Sequence, residues 1–393
     1  MKEENSKFFK GLVVGLVIAI LVCAGILGVR QVTQSGVAPT DAITQKKIRL
    51  IESLVDEHYL EEVDESKLTD DMLKGLMNGL DDDYAAYYTA DEYKEIMNTT
   101  QGDYRGVGMI MQQYADTKEV LIVGVYEGTP AETAGIKAGD ILEEVDDMVC
   151  TENDLNVIAA AIKNGEGDTV HMKLRRDDEE YEVDVEKAEI EVPVVGGKML
   201  EDNIGYIQIA QFTSLTSDQF AEYHKQLTDE GMTSLIVDLR NNPGGLLDSV
   251  VDTLRQILPE GMIVYTQTKD GTKKEYTCEG ETPISIPLVV LVNENSASAS
   301  EIFAGAVHDH EIATLVGTKT FGKGIVQQTF PFTDGSAIKM TIAKYYTPNG
   351  VCIHGEGITP DVEVEFPDDA TEDVQLNRAV ELAKEKASGA TAK

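Results

Sequence analysis

The sequence predicts a multidomain α/β protein carried behind an apolar amino-terminal segment. Three observations predict it. At 393 residues the chain is too long for one ordinary core, so two or three domains are expected. A charge-free run, GLVVGLVIAILVCAGILGV, occupies residues 11–29. From residue 205 onward, continuous apolar strand-like runs alternate with amphipathic helical ones, the pattern of a partly parallel sheet covered on both faces.

At a rise of about 1.5 Å per residue the apolar run spans roughly 28 Å, close to a bilayer's hydrocarbon core. Lys2, Lys7 and Lys10 precede it and an acidic chain follows. The expectation is a single-pass cell-membrane anchor with the amino end cytoplasmic and the rest extracytoplasmic. The alternative is a cleaved signal peptide. Its apolar region would be shorter and end in a small-x-small site, and GVRQVTQSG offers none. The expected order is a cytoplasmic stub and anchor over 1–30, then a tether and helical subdomain over 31–100. A mixed unit follows over 101–190, an α/β body over 191–366, and a carboxyl-terminal helix with a frayed tail over 367–393.

With 33 basic against 70 acidic residues the net charge is −37, which repels phosphate backbones. No basic stripe or aromatic–basic interleaving offsets it, so nucleic acid is excluded as a partner. Cys23 lies inside the apolar run. Cys150, Cys278 and Cys352 sit far apart with no CxxC and no metal-ligand spacing, so they read as small buried hydrophobes. No HExxH or P-loop occurs, and neither metal nor cofactor is expected.

From Asp41 to about Asn98 the pattern is helical, with Leu68, Met72, Leu76 and Leu80 recurring every fourth residue. Thr89 and Glu92 have capping-box spacing, so a helix is expected to start there. This region carries no chemical pattern and is the expected place for packing or homo-oligomerisation. Beyond Gln101, YRGVGMIMQQ, EVLIVGVYEG, TVHMKLRRD and EYEVDVEKA read as strands. TPAETAGIKAGDIL reads as a short helix stopped by Gly135, and NDLNVIAAAIKNG as a longer one. Further on come the strands IGYIQIAQF, SLIVDLR and PLVVLVN, two helices between them, and a final amphipathic helix in TEDVQLNRAVELAKEKA.

YRGVGM followed by EGTPAETAGIKAGDILEEVDD resembles the carboxylate-binding loop and neighbouring stretch of PDZ domains. Gly106 and Gly108 allow consecutive amides to converge, as capture of a terminal carboxylate requires. The resemblance implies that the backbone of Arg105, Gly106, Val107, Gly108 and Met109 holds that carboxylate. The peptide would add as a strand beside GMIMQQ and against the helix from Leu155 to Ile162.

Three segments of the carboxyl half carry chemistry: DLRNNPGG and NENSASASEI, each closing an apolar strand, and KTFGKGIVQQTFPF. Ser298 to Glu301 is also a capping box, a role compatible with catalysis at a strand-to-helix turn. Together the segments resemble the signatures of the carboxyl-terminal processing peptidases (tail-specific proteases), over nearly all of the chain beyond the anchor. That resemblance implies a protease core of the crotonase/ClpP-like type, with Ser298 as nucleophile, Lys323 as base and Gln327 as its support. It also implies an oxyanion site from the amides of Gly244 and Ala299, and protein substrates with exposed apolar carboxyl-terminal tails. Arg175 and Arg176, at the end of a PDZ strand, are candidates to touch the protease body, the alternative being a solvated surface pair. GLDDDYAAYYTADEY departs from the family's commoner aspartate–proline–tyrosine form.

Lysine serves as a base only when neutral, and its ordinary value near 10.4 must be lowered, which burial does. Gln327 can orient the amine without restoring its affinity for the proton. A Ser–His–Asp site is the rival. Of the six histidines, His308 lies too far along the serine's own helix, and only His354, in VCIHGEGITPD, is a candidate. The competing class is a PDZ scaffold on a silent protease body, against which the intact Ser298, Lys323 and Gln327 set argues.

Overall fold

The computed structural model describes residues 41–101, 103–165, 167–367 and 370–390. The apolar run at residues 11–29 lies outside them. Among the described residues no helix is long and apolar enough to cross a membrane. The chain divides into two compact units, Met1–Thr69 and Asp70–Lys393. The first holds α1 (Ala42–His58), capped by the Asp41 carboxylate, which accepts from the Thr44 amide at 2.6 Å. Helix α2 (Glu65–Asn78) runs across the boundary.

The second unit opens with β1 (Ala86–Tyr88) and α3 (Ala90–Gln101). The Thr89 box forms as its spacing requires: the Thr89 amide donates to Glu92 Oε2 at 2.9 Å, and the Glu92 amide donates to Thr89 Oγ1 at 3.3 Å. Strand β1 departs from the all-helical expectation for residues 41–98. Its Tyr87 is buried with Met77 and Ala85, and its backbone pairs with a distant strand, a tertiary partner that local periodicity cannot show.

The next strands are β2 (Asp103–Gly106), β3 (Met109–Gln113), β4 (Val120–Val125), β5 (Ile141–Val145), β6 (Met148–Val149), β7 (Thr169–Arg176), β8 (Glu179–Glu186) and β9 (Ala188–Glu191). Helices α4 (Pro130–Thr133) and α5 (Leu155–Asn164) lie between them. The sheet order is β3-β4-β5-β7-β8 around a core that includes Ile122, Leu142, Ile158 and Met172, and β3 is an edge. Arg175 and Arg176 are not free for the protease body. Arg175 donates to Glu143 at 2.9 Å and Glu119 at 2.8 Å, and Arg176 donates to the buried Asp140 at 2.6 Å. The surrounding carboxylates of this acidic chain claim both guanidinium groups locally.

The rest comprises β10 (Val195–Met199), β11 (Ile204–Ile209), α6 (Thr216–Asp229), β12 (Ser234–Asp238), α7 (Leu247–Arg255), β13 (Gly261–Thr268) and β14 (Lys273–Cys278). Then come β15 (Leu288–Val292), α8 (Ala299–Asp309), β16 (Ala313–Gly317), β17 (Ile325–Pro331), β18 (Ala337–Tyr346), β19 (Val362–Glu363) and α9 (Val374–Ala390). One sheet runs β10-β11-β12-β15-β16-β19, parallel from β11 onward. Every position of β12 and β15 is buried because both faces are covered. Leu235, Val237, Val290 and Val292 share a core with Phe303 of α8, while Ile236, Val289 and Leu291 meet Ala379 and Leu382 of α9. Arg240, just past β12, fixes the entry to α9 by donating to both Asp373 oxygens at 2.8 Å. A second sheet, β1-β18-β13-β14 with β17 also on β18, carries the lysine segment.

Candidate active site

The three serines have three different fates. Ser296 and Ser300 are fully buried, and their hydroxyls donate to backbone: Ser296 Oγ to Leu239 O at 2.8 Å, Ser300 Oγ to Asn242 O at 2.9 Å. They fasten the turn after β15 to the turn after β12. Ser298 is half-exposed and caps α8 with φ 55° and ψ −112°, a strained backbone for a residue with a Cβ. The strand-to-helix turn thus leaves Ser298 as the partly exposed one of the three and pins its neighbours inward.

The glycine turn after β12 explains how the two segments come so close. A Cβ on Gly244, where φ is +99°, would lie 2.6 Å from Ala297 O and 2.8 Å from Ser298 Cβ. Only glycine fits there. Buried Asn242 sets the turn: its Nδ2 donates to Ile209 O at 2.8 Å and its carbonyl accepts from the Ala297 amide at 3.0 Å. Its Oδ1 accepts the Gly244 amide at 2.8 Å, so in this structure that amide is engaged by a side chain. Ala299 begins α8, where an amide has no helical carbonyl to bond.

Glu301 joins Ser298 and Lys323. Its fully buried carboxylate accepts the Ser298 amide at 2.9 Å and the Lys323 amide at 2.8 Å on Oε2. On Oε1 it accepts the Gly322 amide at 2.7 Å and the Thr320 hydroxyl at 2.6 Å. Four donors satisfy the buried charge, and its place in the first turn of α8 adds the favourable helix field. Tyr345 makes a second bridge: its hydroxyl sits 3.0 Å from Ser298 O and 2.5 Å from Lys323 O, sharing its proton between them. Burial holds that phenol well above its ordinary range.

Glu301→Gln tests the bridge. The amide nitrogen it introduces would face two donors wherever it points, leaving buried amides unpaired. The expected result is a loss of about 3 kcal/mol in urea unfolding, with acylation slowed in single-turnover kinetics. Parent-like stability and acylation would show that the carboxylate positions nothing.

Lys323 lies half-buried between Gly322 and Gly324, with its amine 4.3 Å from the centre of the Tyr84 ring. Burial, then the like charge of Lys339, holds the amine below its ordinary value, against the opposing pull of Glu301. Among the described residues the amine makes no hydrogen bond to Ser298 or Gln327. Gln327 instead donates through Nε2 to Thr341 Oγ1 at 3.4 Å. The register shifts between Val326 and Gln327, so the even spacing from Lys323 to Gln327 does not keep a simple strand alternation.

His354 is exposed on a loop whose backbone packs under the lysine: a Cβ on Gly324 would lie 2.5 Å from His354 N, and the Gly355 amide donates to Gly322 O at 2.9 Å. His308 instead faces Asp361 at 3.3 Å. Ahead of the β3–β8 sheet, Arg105 and Gly106 belong to β2, with Arg105 paired to Asp168. Buried Val107 accepts the Ala131 amide at 2.9 Å, and Gly108, at φ +85°, accepts the Tyr126 amide at 2.9 Å. Met109 then opens the edge strand β3. Sequence reasoning missed Asn242, Tyr345, Tyr84 and the bridging role of Glu301. Only Glu301 had a local signal, its place in the capping box.

Residues 203–364 match peptidase family S41, and residues 121–176 match the PDZ domain. The carboxy-terminal processing protease CtpA of Bacillus subtilis (strain 168) is 33% identical over 375 residues, 94% of this chain and 79% of that protein. The carboxyl-terminal-processing protease of a Synechocystis sp. is 36% identical over 301 residues, 75% of this chain and 70% of that one. Among solved structures, a photosystem II D1 C-terminal processing protease is similar at 28% identity and a TM-score of 0.48, covering 81% of this chain and 86% of that one. Identity of that extent over most of both sequences shows that the chain belongs to peptidase family S41, the carboxyl-terminal processing proteases, which are serine peptidases.

Proposed function

We propose that Ser298 is the nucleophile of a peptide-bond hydrolysis in which Lys323 is the base and Gln327 steadies the amine. The observation that carries this is the single buried carboxylate of Glu301, which takes the amides of both Ser298 and Lys323 and makes turn and loop one rigid piece. Neutral Lys323 takes the proton from Ser298 Oγ as the oxygen bonds to the substrate carbonyl carbon. The carbon–nitrogen bond breaks, and the leaving amine takes the proton back from the lysine. Water then hydrolyses the acyl ester by the same proton path. The oxyanion would be met by the amides of Ala299 and of Gly244, the latter once it leaves Asn242.

The PDZ unit would select the substrate. An apolar tail adds to the open edge of β3, beside α5, with its free carboxylate on the amides of residues 105–109. Met109, Met111 and Leu155, apolar side chains of β3 and α5, would favour an apolar last residue. The segment at 11–29 would anchor the chain, with the catalytic part outside the cell.

Amidating a good substrate's carboxyl terminus removes the charge those amides would hold, so kcat/KM should fall about tenfold, the effect of losing roughly one charge-assisted hydrogen bond. Equal cleavage of amidated and free-tailed peptides would show that the terminus is not read.

A further inference from the structure

The stretch before β1, where the sequence shows no chemistry, supplies the ring on which the Lys323 amine rests. Its placement is well fixed. Asp82 Oδ1 accepts the Tyr84 amide at 3.0 Å, while Oδ2 accepts the Thr341 amide at 3.2 Å. Strand β1 follows at once and pairs Ala86 with Lys339 of β18. Thr341 also takes the Gln327 side chain. One strand, β18, therefore ties down both the segment that carries Tyr84 and the Gln327 side chain.

We propose that Tyr84 is a positioning residue for the base: its ring face parks the Lys323 amine as a cation away from Ser298, and the lysine becomes a base only on leaving that seat. This rests on Lys323 being the base of the reaction. A ring face attracts an ammonium and has little to offer a neutral amine, so the contact favours the protonated state. The other groups around the amine are Lys339 on β18, which opposes that state, and Glu301 on α8, which supports it. Asp82 accepts the Tyr84 amide, and the buried Tyr345 hydroxyl donates to the lysine's own backbone carbonyl. Tyr84 thus works against burial and Lys339.

The test reads the amine and the reaction separately. In the full-length protein, lysines are methylated with carbon-13 label and the Lys323 signal, identified by its loss in Lys323→Arg, is titrated by NMR. Tyr84→Leu should move the titration to lower pH by about half a unit, and Tyr84→Phe should leave it in place. Phenylalanines of increasing ring fluorination at position 84, which keep the shape while weakening the ring face, should move it stepwise downward. The acid limb of the unmodified enzyme's pH–rate profile should follow, giving about threefold more activity below the parent midpoint in Tyr84→Leu. An amine titration unchanged across the fluorinated series overturns the proposal. An amine titration that moves while the rate profile stays put supports the ring contact and overturns Lys323 as the base.

Discussion

Ser298→Ala should leave no measurable turnover, a loss of about five orders of magnitude, while still binding tail peptides. Ser296→Ala and Ser300→Ala should keep cutting. The difference follows from how the three serines are held. Ser298 is the partly exposed residue of a strained turn, whereas the hydroxyls of the other two are bonded to carbonyls of the β12 turn. Removing Ser296 Oγ also orphans the Asn293 amide, which donates to it at 2.9 Å, so that variant should lose about 2 kcal/mol of stability. The measurements are hydrolysis of an unstructured substrate, peptide binding by calorimetry, and urea unfolding for all three. Turnover retained in Ser298→Ala would move the nucleophile elsewhere.

Lys323→Arg should be as inactive as Lys323→Ala, although it keeps charge and bulk. A guanidinium does not release a proton in any usable range. With the parent amine held below its ordinary value, the neutral form appears as pH rises through the lowered value. The acylation rate should climb on that acid limb, with a midpoint below that of free lysine. Stability follows the same sign. Between the lowered value and the ordinary 10.5, the unfolded chain binds the proton and the folded one does not, so unfolding becomes harder as pH rises across that window. Below it, the buried ammonium is a burden, and Lys323→Met should be inactive yet more stable than the parent. Gln327→Ala should be milder, because the proposed role of that side chain is to steady the amine and not to take the proton. Stopped-flow acylation against pH checks the rates, and urea midpoints against pH check the stabilities. Substantial activity in Lys323→Arg would give the base to another group, with the exposed His354 first to examine.

What could be read in the sequence was what local physics decides. Continuous apolar runs marked β12 and β15 because strands covered on both faces have no polar side to show. The Thr89 and Glu92 spacing marked the start of α3. The serine run and the lysine between glycines marked segments that the fold does bring together around Glu301. Hidden were the facts that depend on partners far away in the chain. Strand β18 reads AIKMTIAKYY, and its role as the support of β1, β13 and β17 exists only after those strands arrive. The bulge at Gln327 is set by pairing to β18, and no spacing rule foretells it. Tyr84 meets Lys323 only because Asp82 and β1 are tied to that same strand.

The Glu301 junction has a consequence for how the molecule comes to be. Its donors come from residues 298, 320, 322 and 323, and the turn they abut comes from residue 242. The lysine's ring seat is supplied from residue 84. Such non-local closure is paid in loop entropy before any contact rewards it, so this constellation belongs to the late, slow part of folding. A chain synthesised only as far as Glu301 carries Ser298 before residues 320, 322 and 323, which share that carboxylate, have been made.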